Sequence, residues 1–209
     1  YRHMAHHTFT QHPDKDPDKV DFPSSYLEYF KNITSFTVWI RIIENLIRHS
    51  FGKISEAEKK YIPNSEIKSL VFESRMMMAG YLLIVSISIY FSSTFFLIYW
   101  LIPRIIGEPF LRLVRMVEHT GKDETADMIH NTRTSFPSSF LKFLYWNMPY
   151  HVEHHLYASV PFHRLPKFHK LIKPLTDEVE PSILSVHIEI LKQIWKNKKN
   201  KKKDSLLSI

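Results

Sequence analysis

The sequence predicts an all-α fold: a multi-pass helical membrane protein with one transmembrane hairpin, an amphipathic helix at the bilayer surface, and a histidine-rich cap on the cytoplasmic side. Three observations predict it. A run of 27 residues, from Met76 to Ile102, contains no Asp, Glu, Lys or Arg. The segment from Ile33 to His49 repeats apolar residues at helical spacing. The pattern His-x-x-His-His occurs near both ends of the chain, beginning at His3 and at His151.

Composition sets the outer bounds. A chain of 209 residues with 44% hydrophobic and 23% charged residues fits one domain and is neither fibrous nor wholly disordered. It has no cysteine, which excludes disulfide frameworks, thiolate zinc sites, cysteine nucleophiles and Cys-bound iron–sulfur clusters. The mean hydropathy of -0.21 has the look of a soluble chain, but it averages over strong segregation. The formal charge of +7 comes with no nucleic-acid recognition module, so no nucleic-acid partner is expected.

The uncharged run is the first element. As one helix it would extend about 40 Å, against a hydrocarbon core of about 30 Å. A core helix of a soluble domain is the alternative, but a domain this small rarely surrounds a helix that is apolar on every side. The run lies too far from the N-terminus to be a signal peptide. Lys68 and Arg75 precede it, and Arg104, Arg112 and Arg115 follow it. Positive charge marks the cytoplasmic end of a span, and here both ends carry it. This favours a hairpin over about 71–117, with helices from about Val71 to Phe91 and from about Thr94 to Val117 and a turn at Ser92-Ser93-Thr94. Pro103 and the stretch from Gly107 to Pro109 are expected to kink or interrupt the second helix. A single tilted span is the alternative.

The flanking regions follow from their patterns. Between Gln11 and Pro23, Pro13, Pro17 and Pro23 alternate with Asp14, Asp16, Asp18 and Asp21, which reads as a solvated turn rather than a set of metal ligands. In the amphipathic segment Phe36, Trp39, Ile40, Ile43, Leu46 and Ile47 share a face opposite Arg41, Glu44, Asn45 and Arg48. Ile172 to Trp195 is expected to include a helix, although Ile183 to Ile190 alternates as a strand would. The basic run from Lys196 to Lys203 reads as a solvated, disordered tail that anionic headgroups would attract. The expected division is a main domain over 1–170 and a C-terminal helix with its tail over 171–209.

Histidine carries the chemistry. There are thirteen, and six of them form the two boxes His3-Met4-Ala5-His6-His7 and His151-Val152-Glu153-His154-His155. On a helix, positions i, i+3 and i+4 share one face, so each box aims three imidazoles together. Two such faces in opposition deliver six nitrogens to one volume. Imidazole suits Fe, Zn, Cu and Ni, and six ligands exceed one tetrahedral zinc, so a two-metal centre is the natural reading. Both boxes must then lie on one side of the bilayer, which requires an even number of crossings between them and supports the hairpin from different residues. Glu153, inside the second of these boxes, is placed to accept from a ligating imidazole as an outer partner.

The run from Asn147 through His151, His154 and His155 to Pro166 resembles the third histidine box of the membrane fatty acid desaturases, and His3 to His7 is similar to their second. Glu118-His119-Thr120-Gly121 and Asn131-Thr132-Arg133-Thr134 are similar to segments of bacterial members. The resemblance runs from Tyr1 to about His169. It implies a multi-pass integral membrane enzyme, in the inner membrane of a bacterium, whose cytoplasmic cap holds two irons almost entirely with histidine. With O2 and two electrons such enzymes remove two hydrogens from an unactivated alkyl chain and leave a cis double bond. Carried across, the metal ligands are His3, His6, His7, His151, His154 and His155, with His119 as a seventh. Where some members place a water-linked asparagine four residues earlier, this chain has Arg115. Asn147 and Glu153 are assigned as outer partners, Asn147 and Arg133 anchoring loops, while His130, His163 and His169 fall outside any matched pattern. The implied partners are a fatty acyl lipid or acyl thioester, membrane lipids, and an external electron donor of the cytochrome, ferredoxin or rubredoxin-like kind, since the chain has no dinucleotide, haem or iron–sulfur motif.

The resemblance leaves out the family's first box, His-x(3 or 4)-His, which has no match in the chain. The expectation is therefore a C-terminal portion of a longer enzyme that does not assemble a complete two-metal site by itself. Two other functions accommodate the same histidines: a membrane hydroxylase or ketolase of alkanes, sterols or carotenoids, and a non-catalytic membrane protein that binds zinc. A serine hydrolase is poorly supported without G-x-S-x-G.

Overall fold

The computed structural model describes residues 1–176 and 182–207, with side chains described as far as residue 200. Among the described residues the chain is helical and contains no strand. The helices are α1 (Arg2–Phe9), α2 (Tyr26–Thr34), α3 (Phe36–Ser50), α4 (Glu56–Lys59), α5 (Ile67–Tyr90), α6 (Ile102–His119), α7 (Met128–Asn131), α8 (Ser139–Leu144), α9 (His151–Leu156), α10 (Leu165–Ile172) and α11 (Ile183–Leu207). They fall into two compact units. One takes residues 31–112 with the first two residues, and the other takes 3–30 and 113–209.

In the first unit α5 begins four residues earlier than the sequence pattern suggests and runs 24 residues, about 36 Å. The region Asn64–Tyr90 is, among the described residues, the one helix long and apolar enough to cross a membrane. A soluble core helix would bury such a sequence, whereas here Leu82, Leu83 and Ile89 are 61%, 60% and 72% exposed. The helix ends where the Ser-Ser-Thr segment predicts. Ser92 adopts a left-handed φ of 47°, Ser92 N–H donates to Ile89 and Ser93 N–H to Ser88, closing the last turn.

The segment after this turn stays helical where an interruption was one expectation. Neither Pro103 nor Pro109 interrupts it: Leu97–Leu101 forms a π turn and α6 continues from Ile102 through Pro109 to His119. A proline ring clashes with the carbonyl four residues earlier, and the wider π turn lies where Pro103 would make that clash. Glu108 is buried in α6 between Arg104 and Arg112, at 3.6 and 3.1 Å.

Helix α3 packs along α5, pinned at both ends by polar contacts. At its start Ser35, fully buried with φ 57°, accepts from Arg112 Nε at 3.1 Å. At its end Ser50 Oγ donates to the Ser74 carbonyl at 3.1 Å, and Arg75 Nε donates to the Ser50 carbonyl at 2.9 Å. Phe36, Ile40, Ile43 and Ile47 remain exposed, the unpartnered apolar face that the amphipathic pattern predicts.

Glu58 locks α4 beneath α3. It closes a capping box with Ser55 and accepts from Arg48 at 2.6 and 2.7 Å and from His49 at 2.8 Å. Burial alone would raise its pKa, but the Arg48, Ser55 and His49 hydrogen bonds outweigh it and hold the carboxyl far below the usual range.

In the second unit α11 settles the ambiguity between helix and strand at Ile183 to Ile190. Val186, Ile190 and Ile194 are buried at a spacing of four, so the apolar residues line one helical face. The basic tail continues this helix to Leu207 instead of running disordered, because lysine is a good helix former and no Gly or Pro stops it. His187 on α11 donates from Nε2 to the Leu113 carbonyl at 2.7 Å and accepts at Nδ1 from the Tyr29 hydroxyl at 3.0 Å.

Replacing Glu58 with Gln leaves Arg48 without its carboxylate partner. The expected cost is about 2 kcal/mol, seen as a lowered thermal midpoint of the detergent-solubilised protein.

Candidate metal centre

Both His-x-x-His-His boxes are helical. His3, His6 and His7 lie on α1, and His151, His154 and His155 lie on α9. The end of α6 adds His119. These seven imidazoles converge within the second unit. His7 and His155 stack with centroids 4.2 Å apart, while His119 stands 5.0 Å from His6, 4.9 Å from His155 and 5.0 Å from His151. Three groups have ligand atoms within 4.8 Å of one another: His3, His7 and His154; His6, His119 and His155; and Glu118, His119 and His151.

The outer ring nitrogens show how the inner ones are set. His6 Nδ1 lies 2.9 and 3.0 Å from the two oxygens of buried Asp16, which as a carboxylate only accepts. His119 Nδ1 faces the Asn131 carbonyl at 3.2 Å, also an acceptor alone. Thr10 donates its hydroxyl hydrogen to the His6 carbonyl at 2.7 Å, so its oxygen accepts from His155 Nδ1 at 2.9 Å. All three rings therefore carry their proton on Nδ1 and present a bare Nε2 lone pair inward.

The inward nitrogens lie close to other imidazoles of the cluster. Nε2 of His151 is 3.2 Å from Nε2 of His119 and 3.2 Å from Nε2 of His155, and Nε2 of His3 and His7 are 3.1 Å apart. Two donors bound to one ion at about 2.1 Å lie about 3.0–3.4 Å apart, so this is the spacing of ligands that share a cation. His7 Nδ1 and His151 Nδ1 are buried without a partner. Inward lone pairs, outer N–H groups tied to acceptors and a donor set too large for one tetrahedral ion fit a centre of two transition metals.

Burial and the crowding of imidazoles disfavour the charged form of six of the seven. Desolvation, then neighbouring histidines, lower His7 to about 4 and His119 to about 3. The same causes depress His3, His154, His155 and, most strongly among them in its burial, His151.

Around the cluster the structure corrects two readings. Asp16 belongs to no solvated turn: besides His6 it accepts from the backbone N–H of Gln11 at 2.7 Å and of Asp18 at 2.8 Å, which folds the Pro/Asp loop inward. Glu153 is fully buried, but its partners are the Thr134 hydroxyl at 2.6 Å and His169 Nδ1, not a box imidazole. Asn147 lies at a left-handed φ of 56° and donates to the Phe162 carbonyl at 3.2 Å, which anchors its loop as expected, although this contact involves no imidazole. Arg133 donates to the Val117 and Thr120 carbonyls at the end of α6, the anchoring role expected of it. His130 pairs with exposed Asp127, and His163 lies on the turn before α10, so neither joins the cluster.

Four contributors lie outside the sequence-derived set of ligands and outer partners: Glu118, Thr10, Asp16 and Asn131. Fully buried Asn131 receives the His119 proton and ties its own amide to the carbonyls of Thr10 and Thr125, at 3.1 and 2.9 Å. Glu118 and His119 are consecutive, and neighbours on a helix diverge by about 100°, so spacing alone gives no reason to pair them.

With this geometry the comparisons agree. The sequence model of the family described as Fatty acid desaturase matches residues 1–186, and the chain belongs to that family. Membership implies an oxidoreductase of the membrane-associated desaturase and hydroxylase type that works with a di-iron centre. No curated protein and no solved structure matches the chain.

His3, His7, His119, His151, His154 and His155 are protonated more readily unfolded, near the ordinary 6.5, than folded. Their neutral packing therefore contributes fully above about pH 6.5 and is lost as pH falls toward the folded values. The thermal midpoint of the metal-free protein is expected to drop from pH 6.5 toward pH 4, with a shallower slope in His119→Gln. Asp16→Asn is expected to weaken metal binding about 10–100-fold, measured by chelator competition.

Proposed function

We propose that the protein is a fatty acyl desaturase that uses O2 at a histidine-ligated di-iron centre and works as a multi-pass integral membrane enzyme. The convergence of two His-x-x-His-His faces with His119 carries this reading, together with the family. The irons would be held by His3, His6, His7, His119, His151, His154 and His155. Bound there, two irons supply, with O2 and two electrons, the oxidant that side chains alone lack for an alkane C–H bond.

The remaining work falls to the chain. Asp16, Asn131 and Thr10 hold His6, His119 and His155 in one tautomer, so the ligand set needs no rearrangement to bind. Burial of His6, His151 and His155 excludes water from the reacting volume. The substrate is a fatty acyl lipid or acyl thioester delivered along the apolar helices. The balance is one saturated chain, one O2, two electrons and two protons giving one cis alkene and two waters. The electrons come from a cytochrome, ferredoxin or rubredoxin-like donor on the cytoplasmic side, where the basic charge of the chain would steer an acidic partner.

Product analysis is the test. Membranes containing the protein, supplied with an acyl substrate, reductant and donor, are expected to form an alkene, and His155→Ala to form none. An alcohol or ketone instead would assign the chain to the hydroxylase and ketolase side of its chemistry. Zinc-loaded protein that consumes no O2, and stays inert after iron replacement, would indicate structural zinc binding.

A further inference from the structure

Helix α11 is held to its unit by one face and leaves another uncovered. Val186, Ile190 and Ile194 are buried, and His187 fastens the same side through the Leu113 carbonyl and the Tyr29 hydroxyl. Leu184, Ile188 and Trp195 are 68%, 43% and 55% exposed, and half-buried Leu191 completes their row. At about 100° per residue, positions 184, 188, 191 and 195 form one stripe, and Lys198 and Lys199 continue it toward the C-terminus. Lys192 and Lys196, both exposed, lie along one edge of it. The Lys199 ammonium stands over the Trp195 ring, 5.4 Å from its centroid. From Ile183 to Lys203 the sequence has seven lysines and one acid, Glu189, which lies 3.9 Å from Lys192. The family match ends at residue 186, so all but the first turn of this helix lies outside it.

We propose that α11 lies on a bilayer surface carrying anionic lipid, with Leu184, Ile188, Leu191 and Trp195 at the headgroup boundary and its lysines on the lipid phosphates. The inference goes beyond the desaturase reading and rests on its membrane location alone. A solvated basic tail accounts for the lysines, but not for four apolar side chains that share their stripe on an ordered helix. Charge complementarity selects the occupant. A neutral bilayer would take the apolar row only, whereas the lysines gain from an anionic leaflet. Trp195 sits where the apolar and basic halves of the stripe meet, and an indole favours the boundary between acyl chains and headgroups. Lysine stems lie along apolar surface while their ammonium groups reach the polar layer.

The chain has no cysteine, so a single labelling site can be introduced without removing native ones. The full chain carrying Ile188→Cys, labelled with an environment-sensitive fluorophore, is reconstituted in phosphatidylcholine bilayers and in the same bilayers with phosphatidylglycerol added. Burial of the label is read as a blue-shifted emission and as quenching by lipid-borne nitroxide. A label at Gln193→Cys, about 140° around the helix from Ile188, is the reference. The expected result is quenching at position 188 at least about twofold stronger in the anionic bilayer, weakened by high salt, with position 193 aqueous in both. Replacing Lys196, Lys198 and Lys199 together by Gln, which keeps helix propensity, is expected to reduce the difference between the two lipids. An undiminished difference in that variant would overturn the proposal. Equal quenching in both bilayers would overturn it too, as would a label at 188 that stays aqueous until an acidic protein is added. The lipid comparison needs no lysine variant, so it stands if that variant misfolds. A chain recovered with neither bilayer would overturn the membrane location itself, whereas an absence of alkene product bears on the desaturase reading alone.

Discussion

Outer hydrogen bonds that decide which ring nitrogen carries the proton govern the second unit. His6, His119 and His155 each lose the freedom to turn their protons inward because Asp16, Asn131 and Thr10 hold those protons outside. Nε2 of His119 and of His155 is left without a proton, each 3.2 Å from Nε2 of His151. Such an arrangement suits a bound cation. The helical boxes, the inward loop around Asp16 and the Asn131 bridge all serve to keep it in place.

The two units solve opposite problems with the same means. The first turns its apolar residues outward along α3 and α5 and keeps polar groups for internal ties, at Glu58, Glu108, Ser35 and Ser50. The second wraps a polar centre in a shell of hydrogen bonds and places aliphatic packing to one side, on α11. In both, a buried carboxylate is met by several donors, which is the condition under which burying charge is tolerated.

Period and spacing made much of this legible. The uncharged run gave the long helix, the Ser-Ser-Thr segment gave its turn, and the i, i+3, i+4 histidines gave the two ligand-bearing faces. His119 was found by resemblance, not by spacing, because a lone histidine has no period. What stayed hidden depends on contacts across the chain. Asp16 looks like any acid in a Pro-rich turn until the left-handed Gln11, with φ 59°, folds that turn inward. Thr10 looks like the end of a helix until His155 arrives beside it. Glu118 is masked by its neighbour, since the helical rule separates consecutive side chains. The continuous α6 shows a local rule overridden as well: a π turn lies where Pro103 would clash, while Pro109 is carried inside the α-helix itself.

The hydrogen bond between Thr10 and His155 spans 145 residues of sequence. Contacts of that separation cannot form early in folding, because the entropy of closing so large a loop must be met before they contribute. The cluster is therefore a late product of assembly, unlike the helices that bear it. A ligand that binds only the assembled cluster stabilises it by mass action, in proportion to the logarithm of its free concentration. Metal supply would then set how much of the chain persists with its two distant segments joined.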